Sequence, residues 1–563
     1  MRKRDAECYS GLGLNIRASS SKLTLAVIPV GLFAAGVLLK HEHGPYYLRN
    51  NFDPEYNYLL NSLSLLTLHA PRHNDHPGVT LQILGAAVEW LKWLGRFLLG
   101  NRQSLSDSVL SRPESYLRTM NLVLNVLLGG ALYWSASAIY KVSKSLPSAM
   151  LLQGTVVMYH QTFLALPRVS PEPLVVAIGL ALMAVLAPVV LAEEGNAVNE
   201  LRLATTAGAL FGLGLMTKVT FAPWVAVVLL FSQKSHRKRF LMAGVATVLI
   251  LLLPIATRIP HMASWFTSLA THSGSYGQGP VGLPAAHVLA TSLFLLWQEE
   301  SPFFWLFGLY LALLILLFLF RLQGDAARVR VRRAALRLLL AGVIAIVAAT
   351  AMVTKHTETR YLLPALILTA FVNSTFCALA LHSEFDRPAA RWLCLAVVIA
   401  FLGIGLVRNE PFLRRWVDKS RSDQRSIARV RTLEGRLSGC EIIGSYAPSL
   451  PIYALAFGSD YSGGVHWNAL QKLYPGVIHY DPFGRQFLSF AFDQKIDDVK
   501  QMVKSGKCVL IESDPLDEST FNVFRLRDGI ELETLTIVGN PFPPSEPTAL
   551  YRLRPAVAAK VDP

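Results

Sequence analysis

The feature that most limits the fold of this chain is a series of apolar segments, most of them about 20 residues long. That is the length of helix needed to cross a hydrocarbon core about 30 Å thick. Charged residues make up only 16% of the 563 residues, against about 25% in soluble proteins. The sequence therefore predicts a polytopic α-helical membrane protein with about eleven transmembrane helices. The predicted spans are 23–39, 117–140, 147–166, 172–192, 200–217, 219–232, 239–257, 302–321, 333–352, 361–382 and 389–407.

The net charge of +15 is a signal of topology rather than of nucleic-acid binding. Basic residues gather in short loops between apolar segments, such as "SQKSHRKR" and "RLQGDAARVRVRR". Loops of this kind stay in the cytoplasm. The pattern predicts a cytoplasmic tail at residues 1–22, an uncleaved first span, and a C-terminus outside the cytoplasm after eleven crossings.

Three regions follow from this topology. Residues 23–407 form the predicted membrane domain, which includes a long first outer loop at 40–116 with two helical patterns. Residues 408–563 are polar enough for a soluble α/β domain outside the cytoplasm. Its strand-like runs are 442–446, 508–512, 533–538 and 548–553, and its helix-like runs are 452–457 and 495–505. Cys440 and Cys508 can form a disulfide there if the compartment is oxidising.

Lys218 lies where the two shortest predicted spans meet, in "MTKVT". One helix through both spans would bury this lysine in mid-membrane at a cost of several kcal/mol. The sequence therefore predicts two helices with Lys218 at their junction. A later outer loop, 258–301, contains the glycine-rich stretch "THSGSYGQGPVG" with His272 and Tyr276, and its glycines predict a mobile backbone.

The stretch "FDPEY" places two carboxylates, Asp53 and Glu55, just beyond the first span. One interpretation is an ordinary helix start, with Asp53 as the N-cap, Pro54 at the first helical position and Glu55 in the first turn. The other is catalytic, because a carboxylate at the outer membrane surface can act as a general base on a hydroxyl.

Two further stretches allow the same pair of interpretations. In "APRHNDHPG", the residues His73, Asp75 and His76 form either a solvated turn or a group that faces a substrate, a phosphate or, less favourably, a metal. In "SPEP", Glu172 follows Ser170 and Pro171 at another outer helix start. Two helix N-termini that met in one pocket would attract a phosphate.

Four cations are predicted on the outer side, namely Arg168, Lys218, Lys355 and Arg360. Each alone is explained by snorkelling at the membrane interface. If two of them converge, they can neutralise a departing phosphate. His160 and Gln161 lie within the third span, where hydrogen bonds between helices are the simpler interpretation.

Several of these segments, taken in order, resemble one family. "FDPEYNYLLNSL" followed by "DHPG", then "SPEPLVVAIGLAL", "GLGLMTKVTFAPW" and "RYLLPALIL", are similar to motifs of the membrane glycosyltransferases of the GT-C fold. The branch is that of the protein O-mannosyltransferases and the bacterial lipid A aminoarabinose transferases. The resemblance covers roughly residues 20–375. Pro54 between the two acids and Gly78 in place of a proline depart from the pattern.

The resemblance implies an inverting transfer of a sugar from a polyprenyl-phosphate donor to an acceptor hydroxyl outside the cytoplasm. Asp53, or else Glu55, would be the general base, and Glu172 would position the acceptor or share a metal. The substrate-binding set would be His73, Asp75, His76, Arg168, Lys218, His272, Tyr276, Lys355 and Arg360. Family members differ in metal dependence, so a divalent metal ion stays open. The acceptor, whether lipid, glycan or protein, stays open as well.

Other functions remain alternatives at this point. A transporter or flippase of a lipid-linked sugar would place polar groups at mid-depth in paired halves, whereas here they gather on the outer side. A lipid-linked oligosaccharide ligase, a phosphate hydrolase and a structural assembly subunit are the others. The predicted outer loops lack Asn-x-Ser/Thr sites, which favours a bacterial inner membrane.

Overall fold

The computed structural model describes most of the chain. The described residues are 2–48, 51, 53–75, 77–192, 199–282, 284–319, 326–383, 388–445, 450–482, 484–490, 493–513, 515–538 and 548–556.

Helices account for most of the described residues up to Arg436. The helices of this region are α1 (Arg2–His43), α2 (Glu55–Leu66), α3 (Val79–Leu98), α4 (Leu105–Ser111), α5 (Pro113–Ser143), α6 (Leu146–Met158), α7 (His160–Ala165), α8 (Pro171–Leu191), α9 (Glu200–Thr217), α10 (Lys234–Leu252), α11 (Ile259–Thr271), α12 (Ala286–Leu319), α13 (Ala326–Thr354), α14 (Leu363–Ser383) and α15 (Pro388–Arg436). Shorter 3₁₀ segments are Val219–Leu230, Leu253–Arg258, Ser275–Gly277 and Thr359–Leu362.

Eight helical stretches of the described chain are long and apolar enough to cross a membrane. They are Ser20–His43, Pro113–Ser143, Pro171–Leu191, Lys234–Thr271, Ala286–Leu319, Val329–Thr354, Thr359–Leu381 and Cys394–Arg436. The polytopic helical membrane fold predicted from the sequence is therefore confirmed, whereas the count of about eleven spans is not.

Three predicted spans, 147–166, 200–217 and 219–232, are not among these eight. The predicted span 147–166 is divided at Tyr159, whose backbone is extended, into α6 and α7. A helix of 13 residues is about 20 Å long, too short to cross the core alone. Likewise α9 ends at Thr217, and the 12-residue segment Val219–Leu230 is a 3₁₀ helix. The chain breaks at Lys218, as predicted.

The outer loop predicted at 258–301 is also shorter than expected. Helix α11 continues to Thr271, and α12 begins at Ala286 rather than near residue 302. The predicted loop includes the acidic pair Glu299 and Glu300, whereas the structure buries Glu300 completely within α12. Charged side chains can enter an apolar helix when other helices supply partners.

Residue contacts divide the chain into two compact units. The first unit contains Met1–Leu38, Asn74–Thr80 and Leu122–Leu413, and the second contains Leu39–His73, Leu81–Asn121 and Arg414–Pro563. In the first unit, α9 and α10 pack so closely that a Cβ atom on Gly208 would clash with the carbonyl oxygen of Phe240. Glycine is needed there because two backbones approach each other.

The second unit contains a six-stranded mixed sheet. Its strands are β1 (Glu441–Ser445), β2 (Ile478–Asp481), β3 (Gln486–Ser489), β4 (Val509–Ser513), β5 (Ile530–Val538) and β6 (Thr548–Pro555). The spatial order is β3-β2-β1-β4-β6-β5, in which β1 is parallel to β2 and β4 and the other pairs are antiparallel. The helices of this part are α16 (Pro451–Tyr461), α17 (Trp467–Leu473), α18 (Ile496–Lys504) and α19 (Glu518–Val523).

The predicted α/β region is therefore confirmed, with additions that were not foreseen. All four predicted strand runs lie on β1, β4, β5 and β6, whereas β2 and β3 were missed because each has only four residues. Cys440 and Cys508 form a disulfide immediately before β1 and β4. Helix α15 extends to Arg436, beyond the residue 407 at which the last span was predicted to end.

One carboxylate of the second unit is buried without compensation. Glu89 on α3 is fully buried, and neither of its carboxylate oxygens has a hydrogen-bond partner within the described part of the chain. Burial raises the pKa of Glu89 well above its ordinary value of 4.5. The folded protein therefore keeps this side chain protonated at pH values where the unfolded chain ionises it.

This burial makes stability depend on pH with a definite sign. Above pH 4.5 the unfolded state releases a proton that the folded state retains, so the free energy of unfolding falls by about 1.4 kcal/mol per pH unit. The fall in the free energy of unfolding ends near the raised pKa.

We expect Glu89→Gln to remove this loss of stability. The difference in unfolding temperature between the variant and wild type, measured in detergent, should therefore increase as the pH rises above 4.5. Glu531→Gln, at an exposed position of the same unit, should give no such trend. An equal gain at every pH would contradict the assignment.

Candidate active-site residues

Glu172 begins helix α8 as the sequence predicts. Ser170 is the N-cap residue and Pro171 occupies the first turn, where its missing N–H costs nothing. The side chain of Glu172 is only 6% exposed and forms an ion pair with the ammonium group of Lys218, which is 3% exposed. The structure thus brings together two residues predicted from separate motifs.

Lys218 reaches Glu172 because the chain is extended between α9 and the following 3₁₀ helix. Its Nζ atom also lies 4.1 Å from the centre of the Tyr361 ring. An ammonium group over an aromatic face gains a cation–π attraction that is stronger when water is excluded. Lys218 is therefore compensated twice, by a carboxylate and by a ring.

Arg360 is the accessible cation of this group. It lies on the 3₁₀ helix Thr359–Leu362, and its side chain is 37% exposed. The Nε atom is 3.5 Å from Oε2 of Glu358, and the guanidinium carbon is 5.4 Å from the centre of the Tyr361 ring. Arginine has five N–H donors in a planar fork that matches phosphate and carboxylate groups. We call Glu172, Lys218, Glu358, Arg360 and Tyr361 the charged cluster.

Two more aromatic rings adjoin the charged cluster. The ring of His356 lies 5.3 Å from that of Tyr361 and 3.8 Å from that of Tyr276, measured between centroids. Tyr276 has a φ of +53° and is 44% exposed. Burial lowers the pKa of His356. Attraction to Glu358 raises it by less, and repulsion from Arg360 and Lys218 lowers it further. The imidazole is therefore neutral at physiological pH.

Three other predicted substrate-binding residues of the first unit have contacts of their own. The ammonium group of Lys355 donates to the carbonyl oxygen of Leu269. The Nδ1 atom of His272 is 3.1 Å from the carbonyl oxygen of Ser268. Arg168 lies between α7 and α8, where its backbone N–H donates to the carbonyl oxygen of Ala165 at 3.1 Å. The contacts described for these three residues do not join them to the charged cluster.

The second unit holds the two acids of "FDPEY" in opposite environments. Helix α2 begins at Glu55 with Pro54 as its cap, so the prediction that Asp53 is the N-cap is wrong. The carboxylate of Asp53 instead accepts a hydrogen bond from the side-chain amide of Asn57 at 3.1 Å, and the residue is exposed. Glu55 is fully buried. Asp53 is therefore the acid of the pair that a solute can reach.

Helix α2 is anchored within the second unit by two polar contacts. The hydroxyl of Tyr56 donates to Glu114, whose carboxylate also accepts the backbone N–H groups of Tyr46 and Tyr47, all at 3.0 Å. Near the other end, Nε2 of His466 lies 3.1 Å from the hydroxyl of Ser64. Burial lowers the pKa of His466 to about 4. Sequence reasoning missed these anchors because their partners are distant along the chain.

The described residues of the motif "RHNDHP" do not form a metal site. His73 lies between the rings of Tyr58 and Tyr461, at 5.2 and 5.8 Å, and its backbone N–H donates to Asn61 at 3.2 Å. Asp75 is half-buried in the first unit, and His76 lies outside the described residues. Among the residues that the structure describes, no three His, Cys, Asp or Glu side chains form a group able to hold a metal.

Sequence reasoning also missed members of the charged cluster. It singled out Lys355 and Arg360 of "KHTETRY" but not Glu358, which pairs with Arg360, or Tyr361, whose ring lies beside Lys218. It also missed His356, whose ring contacts that of Tyr361. The available signal was the density of titratable side chains between two apolar segments. His160 was assigned to a helix–helix hydrogen bond, and its Nδ1 atom lies 3.1 Å from the carboxylate of Glu300 on α12.

Comparison with known proteins gives structural neighbours only. No protein-family model and no curated protein matches the sequence. A crystal structure of ArnT from Cupriavidus metallidurans bound to undecaprenyl phosphate aligns over 94% of this chain and 98% of that one, with 10% identity and a TM-score of 0.46. Its apo structure aligns over 88% and 93%, with 11% identity and a TM-score of 0.45. Both structural neighbours are ArnT, and the likeness is one of fold. Function has to be argued from the residues of this chain.

The buried ion pair gives a direct test of the charged cluster. We expect Lys218→Met to destabilise the protein by about 3–5 kcal/mol, because it leaves Glu172 charged and buried without its partner. The double variant Lys218→Met with Glu172→Gln should recover most of that loss, since no charge remains. Detergent unfolding measures both. Lys238→Met, at an exposed position on α10, is the control. Equal losses in the single and double variants would show that the two side chains are not coupled.

Proposed function

We propose that this protein is a membrane glycosyltransferase that uses a polyprenyl-phosphate sugar as its donor. The observation that carries the proposal is the placement of Arg360. Its guanidinium is partly exposed beside a buried Glu172–Lys218 pair, at the start of a span. Glu172 is paired with Lys218, and the ion pair described between Arg360 and Glu358 is a long one, 3.5 Å at Nε, so the guanidinium has further N–H donors for an anion that arrives from the lipid phase.

The chemistry of the transfer needs few groups. The acceptor oxygen forms a bond to the anomeric carbon as the bond from that carbon to the phosphate oxygen breaks, and the acceptor proton passes to a carboxylate. Asp53 is the candidate base because it is exposed, whereas Glu55 is buried. Polyprenyl phosphate leaves as an anion without needing a proton. Arg360 would stabilise its charge.

The remaining parts of the proposal follow from the sequence. The N-terminal tail, residues 1–22, would be cytoplasmic, and the membrane domain would span 23–407. Residues 408–563 would lie on the periplasmic side of a bacterial inner membrane, where they could select a lipid, glycan or protein acceptor. Undecaprenyl phosphate, the lipid in the ArnT crystal, is the natural first ligand to test.

Binding of the lipid phosphate tests the proposal directly. We expect Arg360→Ala to weaken the binding of undecaprenyl phosphate to purified protein by about tenfold to a hundredfold, the value of one or two charge-assisted contacts. Arg360→Lys should recover only part, because lysine lacks the planar fork. Arg239→Ala on α10 removes an arginine with an exposed contact and should bind as wild type. Wild-type affinity in Arg360→Ala would refute the role given to this residue.

Turnover separates the two acids. We expect Asp53→Asn to lower sugar transfer from radiolabelled polyprenyl-phosphate sugars by about two orders of magnitude or more, with donor affinity kept, because only the base is lost. Glu55→Gln should act mainly on stability, since Glu55 is buried. Transfer retained in Asp53→Asn and lost in Glu55→Gln at equal protein level would move the base to Glu55. Donor moved across the membrane without turnover would indicate a flippase instead.

A further inference from the structure

Glu299 and Glu300 are adjacent acids in the middle of the membrane-spanning helix α12, and their side chains have different partners. Glu300 is fully buried, and its backbone leaves the helical region, with φ −128° and ψ 45°. Its carboxylate lies 3.1 Å from Nδ1 of His160 and 3.9 Å from Nη1 of Arg408. A carboxylate at such a site is costly, so its partners indicate a specific role.

Arg408 holds the same kink from a second direction. Its Nη2 atom donates to the backbone carbonyl oxygen of Glu299 at 2.7 Å. The ring of His160 is stacked on that of Phe412, one turn further along α15, at 4.2 Å between centroids. Helices α7 and α15 therefore fix the backbone of α12 at the two acids.

The kink in turn contacts the segment that carries Arg360. The hydroxyl of Thr359 donates to the carboxylate of Glu299. Two helical turns earlier, the hydroxyl of Ser292 lies 2.7 Å from that of Thr357. Residues 292 and 299 are seven apart, so they lie on one face of α12. Both threonines of "HTETR" thus bind the same face of one helix.

The alternate residues of this segment belong to the charged cluster and its surroundings. His356 contacts Tyr361 and Tyr276, and Glu358 pairs with Arg360. The segment therefore has two sides, with Thr357 and Thr359 joined to α12 and His356, Glu358 and Arg360 on the side of the cluster. The threonine hydroxyls make no contact with the cluster themselves among the described hydrogen bonds.

We propose that Glu299 and Thr359 are positioning residues that set the place of Arg360, and that the buried Glu300 and His160, together with the partly buried Arg408, hold Glu299 for this purpose. The proposal rests on the anion-binding role given above to Arg360. It predicts that the hydrogen bond between Thr359 and Glu299 can be broken from either side with the same effect on Arg360. If the hydrogen bond only stabilised the fold, its loss would affect lipid binding whether or not Arg360 was present.

The variants are chosen to break one hydrogen bond without changing shape. Thr359→Val and Glu299→Met remove it, whereas Thr359→Ser and Glu299→Gln keep a hydroxyl and an oxygen acceptor. Thr369→Val is the matched control, because Thr369 is a buried threonine of α14 whose hydroxyl bonds Tyr159 at 2.7 Å. If Thr359→Val does not fold, Glu299→Met tests the same contact.

Two measurements are made on each variant. The rate at which phenylglyoxal modifies Arg360, read by peptide mass spectrometry, reports the placement of this side chain without any substrate. The dissociation constant for undecaprenyl phosphate reports its function. We expect Thr359→Val and Glu299→Met to change the labelling rate several-fold and to weaken lipid binding by about tenfold. The conservative variants and Thr369→Val should match wild type.

The outcomes separate this inference from the proposed function. If Thr359→Val weakens lipid binding in wild type but not in the Arg360→Ala background, the residue acts through Arg360. Unchanged labelling and binding in Thr359→Val and Glu299→Met would overturn the inference, even in an active transferase. Altered labelling in a protein that binds no lipid phosphate would support the positioning of Arg360 while refuting the function proposed for it.

Discussion

The buried ion pair between Glu172 and Lys218 constrains how the first unit can be built. A lysine in an apolar environment needs a partner, and here the partner comes from the first turn of another helix. Supplying it requires that α9 stop at Thr217 and that the chain be extended at Lys218. The break, the short 3₁₀ helix that follows and the position of Tyr361 over the ammonium group all follow from this requirement.

The same principle operates a second time in this unit. The buried side chains of Glu300 and His160 and the partly buried side chain of Arg408 form another polar group, and it too lies at a departure from regular helix, in α12 and between α6 and α7. An uninterrupted helix forms all the hydrogen bonds of its own backbone, but it limits the directions in which its side chains can point. Irregular backbone is tolerated in a membrane where other helices complete its hydrogen bonds. In the first unit, both of these groups of polar side chains lie at such places.

Sequence reasoning predicted those parts of the structure that depend on local pattern. The apolar segments, the helix start at Ser170–Pro171–Glu172, the break at Lys218 and four of the six strands were all readable in short windows. The number of spans could not be predicted in this way, because the extended backbone of Tyr159 divides one apolar segment into the separate helices α6 and α7. The prediction that Asp53 caps α2 was wrong, because its carboxylate accepts a hydrogen bond from the side chain of Asn57, one turn later, instead. Convergence of Lys218, Arg360 and Tyr361 required tertiary contacts between segments more than a hundred residues apart.

The two-sided segment "HTETR" has a consequence for how this chain can vary. Threonines and charged or aromatic-contacting side chains alternate along this segment, so that odd-numbered threonines face α12 and the residues between them face the charged cluster. Substitution at one position leaves the others in place. Insertion or deletion of a single residue would exchange the two sides, turning Arg360 towards α12 and a threonine towards the charged cluster. Between α13 and α14, therefore, a change of length disturbs more contacts than a substitution does.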